Sequence, residues 1–386
     1  MSGRKRILVT AGRFMPATGI VHALHKAGAA VEVADSFDVA PALHSRFIDK
    51  AHIVPAASQD PIGYTKEIAR IARDRSIDLI LPTFEDGIYL ARYADLLPVP
   101  RFAADFNVLS ELHDKAAFVG VCERLGLKTP PTKIAFSHQE LVEAIAGFDD
   151  FFARPAFSRA GIGHLTSHGK ELDSKKLEKC VPTKTNPWLV QEYVEGKDTC
   201  VMCIARDGNP IVVSVYEPAI AAGGGYSVRF TSIEDAAAIE IVSTVCSAYD
   251  YSGFIGFDYR RTEDGPILME CNPRVTAGVF LTDEMVIGDA ILNGRKSLFH
   301  APAGKSRQYD SYLVYGRATD QSTPEVVKSL LSAKDALISQ RDYLPFVYSF
   351  MARSKYKHQA YEEHKSFSDI FLGDIIWDGS PLPDEA

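Results

Sequence analysis

The stretch Gly253 to Arg274 holds two carboxylates, an amide and a guanidinium at spacings that suit metal-assisted chemistry. Two strand-like runs flank Thr262-Glu-Asp-Gly265, which is a turn by composition. With the turn centred near Asp264, Asp258 faces Glu270 across the hairpin, their Cβ atoms roughly 5 Å apart. Asn272, two residues further, shares that face. Phe257, Tyr259, Met269 and Cys271 turn to the opposite face and are expected in the core. Carboxylates this close repel unless a cation lies between them, and all-oxygen ligation suits Mg²⁺ or Mn²⁺ better than Zn²⁺. The bland alternative is a solvated hairpin face with an incidental acidic pair. Arg274 weighs against it, because it adds positive charge on that face, where a metal-bound phosphate or developing oxyanion needs it.

Such a hairpin needs a scaffold. The first hundred residues alternate strand-like segments (Arg6–Thr10, Val31–Ala34, His52–Pro55, Asp78–Pro82) with helices around Gly19–Ala27 and Ile62–Arg75, which predicts a parallel sheet flanked by helices. Ligands of such sheets sit beyond the carboxyl ends of strands, which points at Ala11–Thr18 and Thr83–Asp86 and makes Glu85 a substrate candidate. A dinucleotide reading of the first loop fails, since Gly12 to Gly19 lacks the G-x-G-x-x-G glycines. A helix is expected from Asp114 to Leu125, stopped by Gly126, with Pro130-Pro131 marking a boundary beyond it. From about Phe151 strands and hairpins predict mainly antiparallel α+β structure, and beyond Lys305 the pattern turns helical over Pro324–Gln340. The expected division is 1–110, 111–190, 191–304 and 305–386, the last a cap or a dimer element.

A chain of 386 residues, 46% hydrophobic and 24% charged, can bury two or three cores. Its net charge of −8 argues against a nucleic-acid surface, which needs clustered Lys and Arg. The apolar run after Arg6 is too short for a signal peptide or membrane span, so the expectation is a cytoplasmic protein with small-molecule partners. Cys200 and Cys203 have C-x-x-C spacing but lie in a strand-like run, where positions three apart point to opposite faces. No second Cys/His pair completes a zinc site, and ordinary buried thiols are expected.

With these motifs in order along roughly residues 5 to 300, the sequence resembles the ATP-grasp superfamily. Glu270-Cys-Asn272-Pro-Arg274 looks most like the E-x-N-x-R of carbamoyl phosphate synthetase. The resemblance implies an ATP-grasp fold after a parallel N-terminal domain, with ATP and Mg²⁺ or Mn²⁺ as cofactors. It implies that Asp258, Glu270 and Asn272 hold the metal and that Arg274 meets the reacting phosphoryl or carboxylate. It assigns phosphate contacts to Lys115 and Arg154, and a closing loop to Ser158, Gly161 and Gly163. Trp188 to Asp198 resembles the adenine hinge, which implies base contacts from Gln191, Glu192, Tyr193 and Val194 and ribose contacts from Asp198. Arg229, after the Gly223-Gly-Gly225 run, joins Glu85 and Arg274 as a substrate candidate. The activity implied is an ADP-forming ligase that activates a carboxylate as an acyl phosphate and joins it to an amine. Carboxylation through carboxyphosphate, phosphoryl transfer and non-catalytic nucleotide binding are the alternatives.

Overall fold

The computed structural model describes residues 3–159, 163–168, 172–221, 227–315, 323–339 and 341–384. Strands β1 (Arg6–Thr10), β2 (Ala30–Asp35), β3 (Lys50–Ile53) and β4 (Leu79–Pro82) form a parallel four-stranded sheet in the order β3-β2-β1-β4. Helices α1 (Met15–Lys26), α2 (Pro61–Asp74) and α3 (Asp86–Arg92) connect it. The run Ile7 to Thr10 is fully buried, the hydrophobic pattern of a strand covered on both faces. Gly288, in the helix Glu284–Leu292, has no room for a side chain: a Cβ there would lie 2.5 Å from the Ala23 carbonyl oxygen, so the glycine lets that helix press against α1.

Helices α4 (Phe106–His113) and α5 (Lys115–Leu125) lead into two further sheets. Asp114 caps α5 by accepting the Ala116 and Ala117 N–H groups, and Gly126 ends it at φ +69°. Strands β5 (Thr132–Ala135), β6 (Phe151–Pro155), β7 (Leu165–Thr166) and β8 (Trp188–Glu192) pair antiparallel in the order β5-β8-β6-β7. The largest sheet holds β9 (Lys197–Arg206), β10 (Asn209–Ala221), β11 (Ser227–Ile233), β12 (Gly253–Thr262), β13 (Gly265–Asn272), β14 (Phe299–His300), β15 (Ser306–Gln308) and β16 (Lys334–Asp335). Its order is β13-β12-β9-β10-β11-β15-β16, with β14 against β10. One face, with Val201, Val215, Phe257 and Tyr259, packs on the helix Ala236–Ala248. The other, with Met202, Tyr216, Phe230 and Phe254, meets α1 and the N-terminal sheet.

Two expectations need correcting. The helix foreseen over Pro324–Gln340 runs from Thr323 to Ser332, and Gln340 lies outside the described residues. The chain then joins β15 as a strand, because the Asp335 carboxylate accepts the backbone N–H groups of Asp310 and Leu337, both at 2.7 Å. Tertiary pairing overrides local pattern here. Met269 is the second correction. It is half-buried in a β-bulge, and Leu268 takes the core place opposite Tyr259.

The last described segment returns to the N-terminal sheet. Asp342 meets His22, Asp374 meets Arg13, and the Tyr89 hydroxyl donates to the Ile376 carbonyl at 2.7 Å. Leu372 and Ile375 pack on Ala11 and Phe84 at the strand ends.

Candidate active site

The tight turn at Glu263-Asp264 pairs Thr262 with Gly265 and, along that ladder, Tyr259 with Leu268. Met269 is then extra, so Asp258 lies opposite Glu270 and not opposite Met269. Asn272 Nδ2 lies 3.1 Å from Asp258 Oδ2 and 3.2 Å from Glu270 Oε1. The bulged residue also turns its carbonyl to Arg154, whose Nη2 donates to it at 2.7 Å while Nη1 donates to Glu270 Oε2 at 2.7 Å. Lys115 Nζ, in the first turn of α5, lies 3.6 Å from the same oxygen and donates to the Ser158 carbonyl at 2.8 Å. Arg274 donates to Asn272 Oδ1 at 2.9 Å and lies over the rings of Phe84 and Phe14. The structure thus gathers Lys115, Arg154, Asp258, Glu270, Asn272 and Arg274 into one cluster.

Electrostatics sets the two carboxylates apart. Burial, and then the Glu270 charge, push Asp258 up to about 7. Burial acts to raise Glu270 as well, but Lys115 and Arg154 overcome it and hold that group well below the usual carboxylate range. Burial lowers Lys115 to about 8 against the pull of Glu270. Two facing carboxylates and an amide are a hard donor set, the kind Mg²⁺ takes. The amide now presents its nitrogen to both, and a half-turn about its last bond would present Oδ1 instead. Among the described residues no group of three His, Cys, Asp or Glu is placed to hold a metal by itself. Such a set suits a cation that shares its coordination with phosphate oxygens.

At the far end of β8, Gln191 is buried, donates to Thr132 at 3.1 Å and leaves its Oε1 without a partner. Glu192 donates its backbone N–H to the Pro131 carbonyl at 3.0 Å. The reciprocal bond of that pair cannot form, because proline has no N–H, which leaves the Glu192 carbonyl free of it. The Tyr193 N–H is taken by Asp150, while the Val194 N–H has no partner among the described residues. The end of β8 thus presents an acceptor and a donor two residues apart. Asp198 is 62% exposed and ion-paired with Arg260.

The remaining candidates fare differently. Ser158 donates its hydroxyl to the Pro155 carbonyl, and Gly163 adopts φ +76°. Gly161 and the Gly223-Gly-Gly225 run lie outside the described residues. Glu85 is buried and bound in an ion pair by Arg159, and it accepts the Trp377 N–H at 3.2 Å. These partners engage its carboxylate, and it lines one cavity with Arg274, Phe84 and His113. Arg229 lies on β11, three strands from Asp258, and donates to Gln308 at 2.7 Å. Its neighbour Phe230 takes the face that Tyr216 shares with Asp258, so the structure does not bring Arg229 to the carboxylates. Cys200 is half-buried opposite Asp258, and Cys203 points to the other face beside Cys246. Sequence reasoning missed Arg159, His113, Arg260 and Trp377. Arg159 directly follows Ser158 and was open to notice; the others depend on strand register and a distant tail, which leave no local signal.

Residues 112–278 match the ATP-grasp domain family. The chain carries an ATP-grasp domain. The arginine-specific carbamoyl phosphate synthase large chain of Bacillus subtilis is 21% identical over 229 residues, covering 56% of this chain and only 22% of that one. Among solved structures, the biotin carboxylase domain dimer of Hydrogenobacter thermophilus 2-oxoglutarate carboxylase, bound to MgADP, ADP and bicarbonate, aligns with a TM-score of 0.62 at 15% identity, over 78% of this chain and 73% of that one. N5-carboxyaminoimidazole synthetase of Staphylococcus aureus with ADP gives 0.62 at 13% identity, over 78% and 80%. L-amino acid ligase of Bacillus licheniformis gives 0.58 at 15% identity, over 79% of each chain. These likenesses show the ATP-grasp fold, preceded by its parallel N-terminal sheet. No described helix is long and apolar enough to cross a membrane.

Proposed function

We propose that this chain is an ATP-dependent ligase that phosphorylates a small carboxylate with ATP and passes the acyl group to an amine, releasing ADP and phosphate. The observation that carries this reading is the ring of Arg154, Lys115 and Arg274 around the facing Asp258 and Glu270, inside an ATP-grasp domain. Three cations exceed the charge of two carboxylates, and the surplus suits a polyphosphate and a phosphoryl group in transfer. Mg²⁺ held at Asp258, Glu270 and Asn272 would supply charge neutralisation for the β- and γ-phosphates. Lys115 and Arg154 would grip phosphate oxygens, and Gln191 to Val194 with Asp198 would seat the adenosine. Arg274 would orient the carboxylate, whose oxygen attacks the γ-phosphorus as the bond to ADP breaks. A carboxylate oxygen is a poor leaving group at neutral pH, and phosphorylation turns it into a good one. The amine nitrogen then attacks the carbonyl carbon, the C–O bond to phosphate breaks, and the departing phosphate takes up the proton that the nitrogen sheds.

A second reading takes bicarbonate as the carboxylate, favoured by the carbamoyl phosphate synthase match and by the bicarbonate-bound biotin carboxylase neighbour. One experiment addresses both. The purified protein is incubated with MgATP, hydroxylamine and a panel of carboxylates including bicarbonate, with ADP and AMP resolved chromatographically. Hydroxamate together with ADP is the expected result. ADP dependent on bicarbonate alone supports the second reading, and AMP with pyrophosphate would overturn acyl phosphate chemistry.

A further inference from the structure

Two residues beyond Asp258, on the same face of β12, stands Arg260. Positions so spaced are about 7 Å apart along a strand. One strand therefore serves the metal cluster at one point and the connection between β8 and β9 at the next. Arg260 lies opposite Asp198 on β9, and its Nε meets Asp198 Oδ1 at 3.0 Å. Its Nη1 donates to the Val194 carbonyl at 2.7 Å and to the Tyr193 hydroxyl at 3.1 Å. The guanidinium carbon sits 5.0 Å from the centroid of the Tyr193 ring.

The Tyr193 ring also stacks on His168, with centroids 3.6 Å apart, but the backbone beyond it has few partners. Tyr193 gives its N–H to Asp150, but among the described residues Val194, Glu195 and Gly196 make no backbone-to-backbone hydrogen bond. The Arg260 contact to the Val194 carbonyl is the one hydrogen bond that any of these three backbone units makes among the described residues. By taking the carbonyl, it fixes the rotation of the peptide plane and the direction of the chain around the unpartnered Val194 N–H. By taking one oxygen of Asp198, it leaves the other turned outward on a carboxylate that is 62% exposed.

We infer that Arg260 is a positioning residue for the nucleoside end of the nucleotide: it holds Val194 and Asp198 in the geometry that receives base and ribose, and it touches neither. The inference rests on the proposed function, which seats adenosine at this connection. It predicts a split. Affinity for the nucleoside part depends on Arg260, and affinity for the phosphates does not, because Lys115 and Arg154 serve those from α5 and β6.

The test compares the wild type with R260M and R260K by titration calorimetry, using MgADP in one series and magnesium tripolyphosphate in the other. R260M should bind MgADP about tenfold more weakly, the loss of roughly one charge-assisted hydrogen bond, and tripolyphosphate within about twofold of the wild type. R260K should also weaken MgADP, since a point charge cannot serve three acceptors in the plane of a fork. R260K carries the test if R260M fails to fold. Unchanged MgADP affinity in the folded variants overturns the inference, and so does an equal loss for tripolyphosphate. A wild type that binds no MgADP would instead sink the proposed function.

Discussion

Asp258 and Glu270 face each other across the β12–β13 hairpin, yet the cations gather on one of them: Arg154 and Lys115 both reach Glu270 Oε2, at 2.7 and 3.6 Å. Glu270 is therefore ionised well below the usual range, and Asp258, half-buried and beside its neighbour's charge, is pushed up to about 7. At neutral pH the pair carries between one and two negative charges. A divalent cation restores the balance by favouring the second ionisation.

The first prediction follows from that imbalance. The unfolded chain releases the Asp258 proton near 3.8, the folded chain near 7, so between those values the unfolded state binds fewer protons and stability falls as pH rises. Asp258→Asn should remove this slope. At pH 8 in EDTA its Tm should rise by about 2–4 °C, on the order of 1 kcal/mol for a half-buried group, while ligase turnover is lost. A variant less stable than the wild type at pH 8 would mean that Asp258 is not the strained member of the pair.

How far the sequence discloses this arrangement can be judged from the same hairpin. The Asp258–Glu270 pairing follows from a turn centred at Asp264, but the turn is centred half a residue earlier and the bulge at Met269 makes up the difference. A bulge has no compositional signature here. The elements around it are legible because their caps and periodicities are local: Asp114 and Gly126 bound α5, and Trp188–Glu192 reads directly as a strand. The partner that occupies Glu85 is not legible, since Arg159 and Trp377 reach it from distant parts of the chain. The helix over Pro324–Gln340 is misread for a related reason, as Asp335 trades helical geometry for the backbone donors of Asp310, the first residue of the helix after β15, and of Leu337.

Metal dependence is the second prediction. ATP should bind weakly in EDTA, because its phosphates would bring negative charge to Asp258 and Glu270 with no cation between. Calorimetric titration with and without Mg²⁺ reads this directly, and equal affinity would refute the metal assignment. Glu270→Gln should lower turnover by about two orders of magnitude or more with little change in secondary structure by circular dichroism.

The third prediction concerns Lys115. Burial brings its ammonium down to about 8, so the free enzyme loses this cation as pH rises through that value. A plot of kcat/KM for ATP against pH should bend downward near 8. In Lys115→Arg, which stays protonated, the downward limb should vanish even if the maximum is lower. Persistence of the limb in that variant would assign it to another group.

Arg154→Lys separates geometry from charge. Arg154 reaches both the Glu270 carboxylate and the bulged Met269 carbonyl, and an ammonium can keep only one of these contacts in place while it meets phosphate. Turnover should fall by about tenfold to a hundredfold with the Tm within about 2 °C of the wild type. Full activity in this variant would show that the fork is irrelevant.

The final prediction concerns Arg159, next to Ser158, in the run that the ATP-grasp resemblance reads as a closing loop. Arg159 leaves that loop to pair with Glu85, donates to the Trp377 carbonyl at 2.8 Å and donates to His113 Nε2 at 2.7 Å. Burial lowers the His113 pKa, which favours the neutral ring and lets Nε2 accept. Glu85 stays ionised although burial opposes it, because the Arg159 guanidinium outweighs that cost. Removing only Arg159 strands a buried carboxylate, so Arg159→Met should destabilise the fold by about 3–5 kcal/mol, read from urea denaturation. Glu85→Gln in the same chain should recover most of that loss, because the amide needs no counter-charge. The double variant separates stability from function: it is folded, but that run is no longer held against the C-terminal segment. Its affinity for MgATP should fall below that of the wild type at equal stability. A double variant as unstable as Arg159→Met alone would mean that the guanidinium acts there through packing and not through charge.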